Sequence, residues 1–88
     1  MNQTWRRSRT EAGKLLRAHR RNLKMTQRQV AKLVGYSHQH FSFLESGTYR
    51  FPIEAVNDFA VALHIDEDLL MRAALNDRMP DGWEAVQK

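Results

Sequence analysis

Residues 26–45, TQRQVAKLVGYSHQHFSFLE, have the pattern of two short helices joined by a tight turn. Thr26 is a candidate N-cap, and Gln29, three residues further on, can complete a capping box with it. Gly35 can take the positive φ at which many helices end, because it has no Cβ to clash, and Ser37 can then cap a second helix. We predict that the other segments of the chain support this helix pair.

Apolar residues recur at helical spacing in both members of the pair. In the first helix, the apolar side is predicted to hold Val30, Ala31, Leu33 and Val34. In the second helix, Phe41 and Leu44 are predicted to face inward. The other side of that helix is predicted to hold His38, Gln39, Ser42 and Phe43. An alternative is a slightly rotated second helix, in which the Phe43 ring joins the core.

Three more helices are predicted around the pair. One runs from Glu11 to about Lys24. Its apolar side is predicted to hold Ala12, Leu15, Leu16, His19 and Leu23. After the pair, Pro52 can begin a helix that runs to about Leu63, and Asp66 can cap a last helix. Their core positions are predicted to be Val56, Phe59, Ala60, Leu63, Ile65, Leu69, Leu70 and Ala73 or Ala74.

The length and composition of the chain allow one all-α domain. With 88 residues, of which 42% are hydrophobic, there is room for a single small core. We predict a basic N-terminal arm at residues 1–9, a compact five-helix domain at residues 10–75 and a C-terminal tail at residues 76–88. Cysteine is absent, which excludes disulfides and thiolate metal sites and suits a reducing cytoplasm.

We also expect neither export nor membrane insertion. The arginine pair at positions 6 and 7 is not followed by the apolar segment of an export signal. No run approaches the roughly 18 apolar residues that a membrane-spanning helix needs. The cytoplasm is therefore the predicted location.

The charged residues are distributed unevenly along the chain. Residues 1–50 contain eleven Lys or Arg and two acidic residues, whereas residues 51–88 contain three Lys or Arg and eight acidic residues. A strongly basic segment of this kind suits a polyanion such as nucleic acid. The acidic residues between positions 54 and 84 offer a surface for a protein partner.

The helix pair and the residues around it resemble the helix-turn-helix of the Cro/repressor-type, or Xre-like and lambda-repressor-like, transcription regulators of phages and bacteria. The matching residues are Leu16, Arg17, Arg20, Thr26, Gln27, Val30, Ala31, Gly35, Ser37, Glu45, Ser46 and Gly47. The resemblance extends from about Thr10 to about Leu75. It implies a homodimeric, sequence-specific regulator of transcription, usually a repressor, that binds double-stranded DNA through the second helix of the pair.

The resemblance also implies which residues of that helix contact bases. The family reads bases with the first two residues after the cap and the sixth, which here are His38, Gln39 and Phe43. The Gln39 amide can bind adenine at two atoms, and His38 can donate to a guanine acceptor or to a phosphate. Phe43 can press on thymine methyl groups, and Ser42 can reach a base or a phosphate.

Phosphate contacts are expected on both sides of that helix. Gln27 stands at the family's phosphate-clamping position, at a helix start whose free amides favour an anion. The further candidates are Arg28, Tyr36, Tyr49 and Arg50. For Arg28 the alternative is a merely solvated helix face. The arm can enter a minor groove through Arg6, Arg7 and Arg9, or it is a solvated terminus without a role.

One matched pair is expected to be structural. In the family, the arginine at the position of Arg20 pairs with the glutamate that closes the recognition helix, here Glu45. The alternative is an exposed Arg20 that touches a phosphate.

Other functions have weaker support in the sequence. An antitoxin or anti-regulator that uses the acidic half is the main alternative. Binding of single-stranded nucleic acid or of RNA would rest on the aromatic run Tyr36, Phe41, Phe43, Tyr49 and Phe51. We expect no metal site and no cofactor, because His38 and His40, two residues apart, diverge on a helix. We expect no enzyme activity, because no orienting acid or oxyanion hole accompanies Ser37 and His38.

Overall fold

The regular elements of the protein are helices, as a computed structural model that describes residues 9–78 shows. The elements are α1 (Glu11–Asn22), α2 (Gln27–Val34), α3 (His38–Ser46), a short 3-10 helix (Ile53–Ala55), α4 (Val56–Leu63) and α5 (Glu67–Asn76). The predicted all-α fold with five α-helices is confirmed. Pro52 precedes the 3-10 helix rather than α4, so α4 begins later than predicted.

Side-chain caps fix the start of four of these helices. Thr10, Thr26, Ser37 and Asp66 each accept a hydrogen bond from the backbone amide three residues further on. At α2, the Gln29 side chain also accepts from the Thr26 amide, which confirms the predicted capping box. Gly35 ends α2 in the left-handed region, with φ of 77°. The first helix ends earlier than predicted, because Leu23 is its C-cap and Lys24 has a left-handed φ of 58°.

The core lies between the helices, where α3 packs against α1 and α2 while α4 packs against α1, α2 and α5. Its largest fully buried side chains are Leu16, Val30, Phe41, Leu44, Phe51, Val56, Phe59, Leu63 and Leu70. Phe51 was not predicted to lie in the core, whereas Leu33 and Leu69 were and are 62% and 47% exposed. Each of these two leucines lies about 100° around its helix from the centre of the buried side, at the edge of the apolar stripe. A spacing of three or four residues from a buried position was therefore too generous a criterion for burial.

The two ends of the described chain meet at the start of α1. Asp77 Oδ1 accepts a hydrogen bond from the Glu11 amide at 2.8 Å, and Oδ2 accepts from the Ala12 amide at 3.0 Å. The Arg78 guanidinium donates to the Phe51 carbonyl at 2.9 Å. Residues 76–78, which the prediction assigned to the tail, therefore contact the helical domain, and Asp77 satisfies two of the free amides of α1.

Removal of this carboxylate is expected to destabilise the domain. An Asp77→Ala variant leaves the Glu11 and Ala12 amides without a protein partner and removes a negative charge from the positive end of α1. We expect its free energy of unfolding to fall by about 1–2 kcal/mol, measured by urea denaturation. An Arg72→Ala variant, changed at an exposed residue of α5, should stay within about 0.5 kcal/mol of the parent. Equal losses in both variants would contradict a capping role for Asp77.

Candidate nucleic-acid interface

Helix α3 has one buried side and one exposed side. Phe41, Leu44 and Glu45 are buried on the side of α3 that packs against α1 and α2, while His38, Gln39 and His40 are exposed in the first turn. Ser42 and Phe43 are half-buried. Since the N-terminal residues of a recognition helix are those that face base edges in helix-turn-helix complexes, the exposed first turn has the placement that base contact requires.

A buried ion pair anchors the end of α3 to α1. Arg20 Nε lies 2.7 Å from Glu45 Oε2, and Arg20 Nη2 donates to Glu45 Oε1 at 3.0 Å. The third guanidinium nitrogen of Arg20 donates to the Met25 carbonyl at 2.9 Å. The two side chains are only 15% and 5% exposed. This two-point contact fixes the orientation of both planar groups, and it occupies the guanidinium that the alternative assigned to phosphate.

Gln27 links that ion pair to the first residue of α3. Its Nε2 donates to Glu45 Oε1 at 2.8 Å, and its Oε1 lies 3.2 Å from His38 Nε2. A residue predicted to clamp phosphate and one predicted to read bases are thus hydrogen-bonded to each other. The Gln27 amide nitrogen carries a second hydrogen, which remains available for a phosphate. No side chain buried within residues 9–78 has an unsatisfied polar atom.

Four rings form a continuous row, two of them on α3 and two in the segments on either side of it. The centroid of His40 lies 4.7 Å from that of Tyr36 and 5.7 Å from that of Tyr49, and the Tyr49 and Phe43 centroids lie 5.0 Å apart. We call these residues, Tyr36, His40, Tyr49 and Phe43, the aromatic row. His40 was not among the predicted contact residues, although its spacing from Tyr36 and Phe43 is helical. Phe43 is neither in the core nor fully exposed.

The aromatic run that suggested binding of single-stranded nucleic acid is divided by the fold. Phe41 and Phe51 are 0% and 1% exposed, and both rings pack against Phe59. Only Tyr36, Phe43 and Tyr49 of that run keep accessible surface. A base can stack only on an accessible ring face, so this alternative loses two of its five rings.

Tyr36 lies in a less favourable place for phosphate than the other candidates. Burial raises the pKa of its phenol above the ordinary value, and the negative charges of Glu54 and Asp58 raise this pKa further. The phenol therefore keeps its proton and can donate a hydrogen bond. The same two carboxylates, however, repel a phosphate that approaches the ring.

The arginines predicted to contact phosphate or the minor groove differ in their surroundings. Arg28 and Arg50 are exposed, and the amide of Arg9 donates to the Ser46 carbonyl at 3.0 Å. Arg6 and Arg7 lie outside the described residues. Residues 9 and 10 therefore pass directly over the end of α3.

Across residues 9–78, no group of three or more His, Asp or Glu side chains is placed to hold a metal ion. None of the helices formed by these residues has the length and apolar character needed to cross a membrane.

Comparison with known proteins agrees with the architecture. The profile of a helix-turn-helix domain family matches residues 11–73, which include all five helices up to the last turn of α5. No curated protein and no solved structure gave a match. The matched segment covers well over half of the chain and contains the capped pair α2 and α3. The chain therefore belongs to the helix-turn-helix domain family.

Proposed function

We propose that the protein is a sequence-specific double-stranded DNA-binding transcription regulator that places α3 in the major groove. The observation that carries this proposal is the exposed first turn of α3, with His38 and Gln39, on a helix whose other end is anchored by buried Glu45. The major groove of B-DNA is about 12 Å wide and admits one α-helix. A rigid mounting of this kind is what repeated, directional base contact needs.

The residue roles follow from their places around α3. We assign base contacts to His38, Gln39, Ser42 and Phe43. We assign phosphate contacts to Gln27, Arg28, Tyr49 and Arg50, with Tyr36 as the weakest candidate. Arg9 and the arm before it are assigned to the minor groove. We further propose that the protein is a homodimer, because a dimer places two recognition helices in successive major grooves about 34 Å apart. We also propose that it acts as a repressor in the cytoplasm.

Selection from random duplexes tests this function. Duplexes retained by the protein would be sequenced, and the affinity for the enriched duplex would be followed against salt concentration. We expect a two-fold symmetric motif with half-sites about one helical turn apart. Steep salt dependence without an enriched motif would contradict sequence-specific recognition and leave only contact with the DNA backbone.

Two single substitutions should separate base contacts from phosphate contacts. A Gln39→Ala variant should lose about 1–3 kcal/mol of discrimination at one or two base pairs and bind random DNA as before. An Arg28→Ala variant should bind all duplexes more weakly and reduce the salt slope by about one. Binding titrations on selected and random duplexes measure both effects. Equal losses on both duplexes for Gln39→Ala would contradict its base-reading role.

A second candidate function rests on an open groove between α2 and α4. Its walls are Leu33, Val34, Asn57, Asp58, Val61 and Ala62. Leu33 and Val61 are 62% and 68% exposed, and Asp58 adds negative charge to the edge. Exposed apolar side chains beside a carboxylate suit a protein partner, as an antitoxin or anti-regulator would require. Protection of the Val61 region from hydrogen exchange by a co-purified protein, with no DNA motif enriched, would favour this function.

A further inference from the structure

The hydrogen bonds that join Arg20, Gln27 and Glu45 are all donated to the Glu45 carboxylate. Arg20 can only donate, and it donates to both carboxylate oxygens of Glu45. Glu45 Oε1 then accepts from Gln27 at 2.8 Å, which requires the amide nitrogen of Gln27 to face it. The orientation of the Gln27 amide is therefore fixed by its neighbour, and its oxygen is the atom turned toward His38.

The orientation of the Gln27 amide determines which nitrogen of His38 carries the proton. Gln27 Oε1 can only accept, so the contact of 3.2 Å with His38 is a hydrogen bond only if Nε2 is protonated. In a neutral imidazole, Nδ1 then has no hydrogen and is an acceptor. Within residues 9–78, the structure records no other hydrogen bond to this ring, and the His38 side chain is exposed. The imidazole thus offers an acceptor to whatever approaches it.

We propose that His38 reads an exocyclic amino group, of cytosine N4 or adenine N6, through Nδ1. This inference rests on the proposed function and refines it, because the sequence had suggested that His38 donates to guanine or phosphate. Both of those groups present only acceptors to the ring, whereas the two amino groups are the donors of the major groove. Gln27, Glu45 and Arg20 act as positioning residues that hold the ring in this tautomer.

The first test concerns the free protein and needs no DNA. NMR of the ring nitrogens, at a pH well above the ordinary histidine pKa of about 6.5, separates protonated from unprotonated nitrogens. We expect His38 to show a single tautomer, protonated at Nε2, and a Gln27→Met variant to show a mixture. His64, exposed at the end of α4, serves as the control ring in both spectra. A mixture at His38 in the parent protein, equal to that at His64, would overturn the inference.

The second test uses the selected duplex. The modified base pair is the one at which a His38→Ala variant loses its preference. In one duplex this pair contains a 7-deazapurine, which lacks the N7 acceptor. In a second duplex it contains a base that lacks its amino group. We expect the deaza substitution to change affinity less than about twofold and loss of the amino group to lower it about tenfold. At the pair assigned to Gln39, whose amide contacts both N6 and N7 of adenine, both substitutions should weaken binding.

The outcomes separate this inference from the proposed function. A tenfold loss with the 7-deazapurine and none without the amino group would overturn the inference and leave the regulator function intact. Selection without an enriched motif would overturn the function and the base-reading role of His38 together.

Discussion

An Arg20→Met variant is expected to be about 3–5 kcal/mol less stable than the parent protein. Methionine keeps most of the apolar stem of arginine but removes the guanidinium, so the Glu45 side chain, 5% exposed, is left with Gln27 as its remaining partner. Desolvating a carboxylate without a matching cation is among the most costly changes known in protein interiors. Urea denaturation followed by circular dichroism gives the difference in free energy.

The ion pair between Lys14 and Glu11 provides a matched control for this prediction. Its atoms lie 3.1 Å apart, but the two side chains are 57% and 54% exposed. A Lys14→Met variant should therefore cost no more than about 1 kcal/mol. A double Arg20→Met, Glu45→Met variant should recover part of the loss, because no charge is then stranded. An Arg20→Met variant no less stable than Lys14→Met would contradict a structural role for the buried pair.

A Gly47→Ala variant is expected to lose about 3 kcal/mol or more. Gly47 has φ of 83°, and a left-handed conformation costs a residue with a Cβ about 1–2 kcal/mol. The new methyl group would also lie 2.8 Å from the Arg9 amide nitrogen and 2.9 Å from the Thr10 amide nitrogen. These are backbone atoms of the two residues that precede α1. If they move to relieve the clash, the hydrogen bond from the Arg9 amide to the Ser46 carbonyl is disturbed.

A substitution at Gly35 separates the cost of the left-handed backbone from the cost of the steric clash. Gly35 also has a positive φ, but it has no close neighbours where a Cβ would lie. Its φ is 77°, and a Cβ placed there would meet nothing within 4 Å. A Gly35→Ala variant should therefore cost only about 1–2 kcal/mol. Thermal melting should show a midpoint for Gly47→Ala more than about 10 °C below the parent, and a smaller decrease for Gly35→Ala. Equal decreases would mean that residues 9 and 10 move away without cost.

The local parts of this structure were predictable from the sequence. A cap, a capping box and a turn glycine act over three or four residues, so Thr26, Gln29, Gly35 and Ser37 could be identified without any knowledge of the fold. The inward position of Phe41 and Leu44 followed from helical spacing. The choice of Arg20 and Glu45 as partners came from the family resemblance, since 25 residues separate them.

The parts that could not be predicted depend on tertiary placement. The capping of α1 by Asp77 joins groups 66 residues apart, and an aspartate near the end of a helix has many other uses. The amide of Gln27 was expected to contact phosphate. Its bond to Glu45 was not expected, because the sequence does not show that α3 brings Glu45 within 2.8 Å of it. The aromatic row could not be predicted because it depends on where the loop after α3 places Tyr49. In the sequence, the residues of the row also alternate with core aromatic residues such as Phe51.

The bond between Asp77 and the start of α1 has a consequence for the dynamics of the domain. Helix ends ordinarily fray independently, each with its own small opening free energy. Here the first amides of α1 are protected only while the end of α5 is in place. Opening at the end of α5 must therefore also expose these two amides of α1. The amides of Glu11 and Ala12 should exchange with solvent at least as fast as the end of α5 opens.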